Sequence, residues 1–298
     1  ADIQISDGNG NLLIHFRGWE ELCERVPPEY QQFILHPSEK FLTQPLPLEL
    51  LGNPTTPVAG AVATDIPFSL FEHNQELWLK TLAFVLLSPT EREEWLEMQG
   101  ATSRRVEWLF GRAAAKESAR RFLRQFHQAR WTAADIPIWP DDSGKPHLLG
   151  PWREHTAVTL DLSIAHTSKL IVAAVAANAR LGIDIEAIGR DLSEDFTKGV
   201  FTNEELERAA QTGEAPTAIL RFWCAKEALS KALGTGIRYS PRDLLIRAID
   251  PVTGQIEIEL LGQWLEPFKQ LKGRRNLVST SLYEGHVFAS CLLPASLF

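Results

Sequence analysis

The chain has 298 residues, 44% of them hydrophobic and 23% charged, with a formal net charge of −8. That length carries one or two domains with a sizeable core, and the composition excludes a disordered, collagen-like or disulfide-scaffold protein. Residues 1–75 hold ten acids against three bases, whereas 28 acids and 27 bases nearly cancel over 76–298. Neither block has the field of Lys and Arg that non-specific nucleic-acid binding requires.

In chain order, Asp7-Gly8-Asn9-Gly10 predicts a turn, with a strand over 12–17 beyond it. Eight of the 18 prolines fall between Pro27 and Pro67, which argues against one long helix or a central strand there. Residues 53–60 read as a loop or linker. The reading is therefore an acidic, proline-rich extension or remnant of a preceding domain over 1–75, and a second domain over 76–298 with halves of about 76–190 and 191–298. Residue 1 is alanine, as in a processed chain or a piece of a longer one. Ser88, Pro89 and Glu91 form a capping-box signature that starts a helix. A longer helix is expected over 106–127, with Trp108, Ala115, Ala119 and Phe122 at helical spacing. Strands follow over 160–164, 170–177 and 181–186. A second capping box, Thr202 with Glu205, opens a helix near 203–210, and another spans 216–233 before Gly234 and Gly236. Four strands close the chain near 244–248, 255–261, 276–282 and 286–293. Cys23, Cys224 and Cys291 are widely spaced and odd in number, which suits buried thiols in a reducing compartment. No apolar run reaches the roughly 20 residues of a membrane span and no signal peptide opens the chain, so a cytoplasmic location is expected.

Five segments could carry chemistry. In Gly182-Ile183-Asp184-Ile185-Glu186, strand alternation sends both carboxylates to one face, about 7 Å apart. Such a pair suits a hard divalent cation, although on spacing alone a solvated acidic edge is the better fit. On the helix 216–233, Phe222, Ala225, Leu229 and Ala232 form the buried stripe. Glu227 and Lys231 lie opposite at i,i+4, which alone describes a surface ion pair. His166 and Thr167 occupy a turn between two apolar strands, Gly144-Lys145-Pro146 is a turn carrying a cation, and Gly111-Arg112 with Lys116 forms a basic helix face.

In this order and spacing the segments resemble the signature of the 4′-phosphopantetheinyl transferases, in particular the larger Sfp-like class. Gly182 to Glu186 matches its Gly-x-Asp-x-Glu element, and Trp223 to Lys231 matches its Trp-x-x-Lys-Glu-x-x-x-Lys element. The resemblance covers about residues 77–298. One departure stands out: the family's serine before the histidine is Ala165 here, which puts a hydroxyl contact to substrate in doubt.

The resemblance implies an α+β, pseudo-twofold fold of two similar halves, each a long helix on a small antiparallel sheet, with coenzyme A between them. It implies transfer of 4′-phosphopantetheine from coenzyme A to a serine of an acyl or peptidyl carrier protein, leaving adenosine 3′,5′-bisphosphate. Asp184, Glu186 and Glu227 would bind Mg²⁺, with Glu227 also accepting the serine proton. Lys231 and Lys226 would neutralise phosphates, Arg112, Lys145 and His166 would hold the adenine and 3′-phosphate end, and Lys116, Pro146 and Thr167 would also contact coenzyme A. A monomer, without nucleic-acid or membrane partners, is expected. In some polyketide-type synthases a transferase follows a dehydratase-like region, of which residues 1–75, with Gly18-Trp19, would be the tail. The rival readings are a Mg²⁺-dependent phosphoanhydride hydrolase and a non-catalytic carrier-docking module of a synthase.

Overall fold

The computed structural model describes residues 2–18, 26–72 and 76–298; Trp19 and Cys23 lie outside them. The chain opens with an antiparallel hairpin, β1 (Ile3–Ser6) and β2 (Leu12–Phe16), turned at the predicted Asp7-Gly8-Asn9-Gly10. A short helix α1 (Pro28–Leu35), with Pro28 in its first turn where a missing N–H costs nothing, is followed by β3 (Gln44–Pro45) and β4 (Val58–Thr64). The helices α2 (Phe68–Glu72), α3 (Leu77–Leu86), α4 (Pro89–Glu97) and α5 (Thr102–His127) come next. The Ser88–Glu91 capping box is formed as expected. A small hairpin of β5 (Ile138–Pro140) and β6 (Pro146–Leu148), a helical turn α6 (Trp152–His155), and strands β7 (Leu160–His166) and β8 (Leu170–Ala177) complete the first half.

Asn178, in the left-handed conformation at φ 55°, turns the chain into β9 (Ala179–Ala187). Helices α7 (Glu194–Val200), α8 (Asn203–Gln211) and α9 (Ala215–Leu233) follow. The Thr202–Glu205 capping box starts α8, and Gly234 ends α9 at φ 83°. Strands β10 (Leu244–Ile249), β11 (Gln255–Leu260), β12 (Asn276–Tyr283) and β13 (His286–Pro294) finish the fold.

Two antiparallel sheets result, ordered β3-β4-β8-β7 and β10-β11-β12-β13-β9. The long helix α5 lies on the first and α9 on the second, so the α+β architecture of two similar halves is the one observed. The expected boundaries are corrected. β4 hydrogen-bonds along the whole of β8 from Val58 to Thr64, and Tyr30 and Phe33 of α1 lie in the core beneath α5. Residues 28–64 therefore belong to the first half, which ends at Asn178 rather than near 190. The loop expected over 53–60 runs into a central strand because Pro57 and Pro67 bracket it without entering its ladder.

The halves meet where β7 runs beside β9. Asp161 Oδ2 accepts the Leu181 N–H at 2.7 Å, and Ser163 Oγ accepts the Ile183 N–H at 3.0 Å. Val62, Ala165, Val172, Leu181, Ile183, Ile185 and Phe288 pack together at this seam.

Candidate active site

A Cβ on Gly182 would sit 1.8 Å from Ala228 O and 2.4 Å from Ala232 N. Only glycine lets β9 come this close to α9, which fixes the strand against the helix two residues before Asp184. Alternation then acts as the sequence predicts: Ile183 and Ile185 are buried at the seam, while Asp184 and Glu186 reach residues of α9. Asp184 Oδ1 accepts a 2.7 Å bond from Lys231 Nζ, and Asp184 Oδ2 is buried with no hydrogen-bond partner. Glu186 accepts from Trp223 Nε1 at 3.3 Å and pairs with Arg190. Lys231 thus crosses to Asp184, and the expected i,i+4 pair with Glu227 does not form.

Burial pushes the Asp184 carboxyl up. Burial, reinforced by the neighbouring Asp184 charge, pushes Glu227 up to about 7. Burial works against the charge of Lys231, but the Asp184 carboxylate overrides it and holds the lysine above its ordinary value. Three carboxylates of hard oxygen donors, one with an orphaned buried oxygen, fit a divalent cation such as Mg²⁺. Among the described residues no three His, Cys, Asp or Glu side chains are grouped closely enough to hold a metal ion by themselves. Part of the coordination shell would have to come from substrate oxygens and water, the usual manner of Mg²⁺.

From Lys231 a cleft of about 410 Å³ runs between the halves, its wall including Arg112, Lys145, Pro146, Ser163, His166 and Gly234. Lys145 Nζ is held 2.7 Å from Asp161 Oδ2, the oxygen that also accepts the Leu181 N–H. Asp141 organises the turn behind Lys145, its Oδ1 accepting the Ser143 and Lys145 N–H groups at 2.8 and 3.0 Å. Asp161 is a site residue that no sequence pattern marks, because it becomes one only when β7 meets β9. Asp141 was readable as a turn residue, but not its service to Lys145.

Three expected residues lie elsewhere. Lys116 is fully buried, 2.6 Å from Glu91 and bonded to Leu86 O. Lys226 is fully buried, 2.8 Å from Glu205 and bonded to Val200 O. Neither ammonium reaches the cleft, each being fully buried in an ion pair, so the basic face expected of Lys116 does not exist. Thr167 turns its hydroxyl to His286 Nε2 and the Leu170 N–H, and so shapes the turn that presents His166. Ala165 is buried at the seam beside Ile183, so a serine hydroxyl there would face β9 rather than the cleft.

Residues 180–289, from β9 into β13, match the family model of the 4′-phosphopantetheinyl transferase superfamily. The holo-[acyl-carrier-protein] synthase of Dinoroseobacter shibae is 34% identical over 120 residues, covering 38% of this chain and 85% of that protein. The protein of that name from Hydrogenovibrio crunogenus is 39% identical over 89 residues, 29% of this chain and 68% of its own. Among solved structures, a holo-(acyl-carrier-protein) synthase from Bacillus anthracis in complex with CoA (3′,5′-ADP) is 25% identical, with a TM-score of 0.31, over 40% of this chain and 93% of that one. The holo-ACP-synthase of Plasmodium yoelii is 24% identical, with a TM-score of 0.33, over 40% and 91%.

Proposed function

Because the chain belongs to the 4′-phosphopantetheinyl transferase superfamily, we propose that it transfers 4′-phosphopantetheine from coenzyme A to a serine hydroxyl of an acyl or peptidyl carrier protein. The observation that carries this reading is one cleft with Arg112, Lys145, His166 and Lys231 along it and Asp184 immediately behind Lys231. Cations suited to a polyanionic nucleotide thus lead to carboxylates suited to the reacting phosphate.

In the reaction the serine oxygen attacks the phosphorus that bears the pantetheine arm. The P–O bond to the departing adenosine 3′,5′-bisphosphate breaks, and the serine proton goes to a base. Glu227, which burial and the Asp184 charge push up to about 7, fits that base. Lys231, steadied by Asp184, would offset the negative charge on the phosphoryl oxygens. Lys145, Arg112 and His166 would bind the adenosine and 3′-phosphate end. Asp184, Glu186 and Glu227 would hold Mg²⁺, which when bound polarises phosphate oxygens and offsets the charge of the loose transition state.

Both walls of the cleft come from one chain, which supports a monomer as the working unit. Cys224 and Cys291 are free and buried, in keeping with a reducing cytoplasm. No helix among the described residues is long and apolar enough to cross a membrane.

The reading is tested by following adenosine 3′,5′-bisphosphate release from coenzyme A with Mg²⁺, with and without a carrier protein. Release should depend on the carrier. Equal release without it would favour the hydrolase instead.

A further inference from the structure

Among the described residues, seven arginines lie over aromatic rings: Arg92, Arg105, Arg112, Arg120, Arg121, Arg180 and Arg190. Six of them also have a carboxylate or carbonyl acceptor. Arg92 bonds Leu87 O, Arg105 pairs with Glu76, Arg120 and Arg121 with Glu117, Arg180 bonds Leu233 O, and Arg190 pairs with Glu186. Arg112 differs. Among the described residues it forms no ion pair, its Nε is buried without a hydrogen-bond partner, and its guanidinium carbon lies 4.5 Å from the centre of the Trp108 ring. A half-buried cation without an acceptor is costly unless a ligand supplies one, and Arg112 lies where the main cleft opens into a side groove lined by Arg104, Trp108 and His166.

Trp108 sits one helical turn before Arg112, at i,i+4 on α5, the spacing at which side chains of a helix stack. The guanidinium can therefore rest its face on the indole and leave its edge free.

We propose that Trp108 is a positioning residue that aims Arg112 at the 3′-phosphate of coenzyme A, and so sets the preference for the 3′-phosphorylated substrate. This rests on the transferase reading. In it, the indole replaces the carboxylate or carbonyl that fixes each of the other six. A carboxylate beside Arg112 would hold it equally well but would compete with the phosphate for the same hydrogen bonds. The aromatic face orients the group without occupying its donors.

The test compares KM and kcat for coenzyme A and for 3′-dephospho-coenzyme A in the wild type, Trp108→Leu, Trp108→Phe and Arg112→Ala. Trp108→Leu keeps apolar bulk against the core and removes the π face, which avoids a simple packing defect. It should raise KM for coenzyme A about tenfold, leave kcat within about twofold, and leave KM for the dephosphorylated substrate nearly unchanged. Trp108→Phe should recover most of the loss, and Arg112→Ala should show the same selectivity more strongly. Equal KM changes for both substrates in Trp108→Leu, or no recovery in Trp108→Phe, would overturn the positioning role. If Arg112→Ala leaves both KM values unchanged, the 3′-phosphate is not at Arg112 and the inference fails with that placement. Absence of any transfer by the wild-type chain would instead overturn the transferase reading itself.

Discussion

The two halves carry the same clamp and put it to different ends. In the first half Glu91 closes the capping box of α4, accepts the Ile138 N–H and pairs with Lys116 of α5, whose ammonium also bonds Leu86 O. In the second, Glu205 closes the capping box of α8, accepts the Ile246 N–H and pairs with Lys226 of α9, whose ammonium also bonds Val200 O. The next residue on each long helix is also a glutamate. Glu117 is fully buried and satisfied: it accepts from Leu42 N, Thr43 N and Thr43 Oγ1, and it pairs with Arg120 and Arg121. Glu227 has no such donors among the described residues and shares its surroundings with Asp184 and Glu186. The neighbouring strand completes the contrast, since β4 (VAGAVAT) has no acid where β9 has two. A duplicated scaffold thus makes one glutamate a structural anchor for the segment around Thr43, and leaves the other crowded among carboxylates.

The sharpest break between the halves is at their strand glycines. Gly182→Ala drives a Cβ into the backbone of α9, and should prevent stable folding as judged by urea titration, a loss well above about 3 kcal/mol. Gly60→Ala meets mainly the Leu46 side chain, 2.8 Å away, and should cost clearly less.

Lys226→Met and Lys116→Met each leave a buried carboxylate unpaired and should each destabilise by about 3–5 kcal/mol, with KM for coenzyme A unchanged in the folded fraction. A raised KM in Lys226→Met alone would return that lysine to the substrate and break the equivalence.

The glutamates should respond oppositely. Glu227→Gln is expected to lower kcat about 100-fold or more while leaving the melting temperature within a few degrees. Glu117→Gln should cost about 3 kcal/mol of stability, because buried donors and arginines lose their charged partner, with kcat little altered. The smallest effect belongs to the seam. Ala165→Ser should change stability by about 1 kcal/mol at most and KM for coenzyme A by less than about twofold, because the side chain faces β9.

Much of the second half is legible in the sequence because its signals are local. Capping boxes, a Gly stop and β-alternation place α8, α9 and β9, and the resemblance of Gly182–Glu186 and Trp223–Lys231 to a family signature points to the site. The first half is harder to read. β4 is short and alanine-rich, and its prolines lie outside it, so its membership of a sheet follows from pairing with β8, more than 100 residues away in sequence. Lys116 and Lys226 were misassigned for a related reason. Lys226, next to Glu227, and Lys116, four residues after Arg112, look like phosphate ligands until their buried partners, Glu205 and Glu91, are brought in by tertiary packing. Asp161 and Trp108 likewise gain meaning only from what the folded cleft sets beside them.

The most direct test of the central claim is intact-mass spectrometry of an acyl or peptidyl carrier protein after incubation with this chain, coenzyme A and Mg²⁺. The account predicts a carrier heavier by one phosphopantetheine on a serine with the wild type and with Glu117→Gln, and an unmodified carrier with Glu227→Gln. An unmodified carrier with the wild type while coenzyme A is cleaved, or full modification by Glu227→Gln, would contradict it.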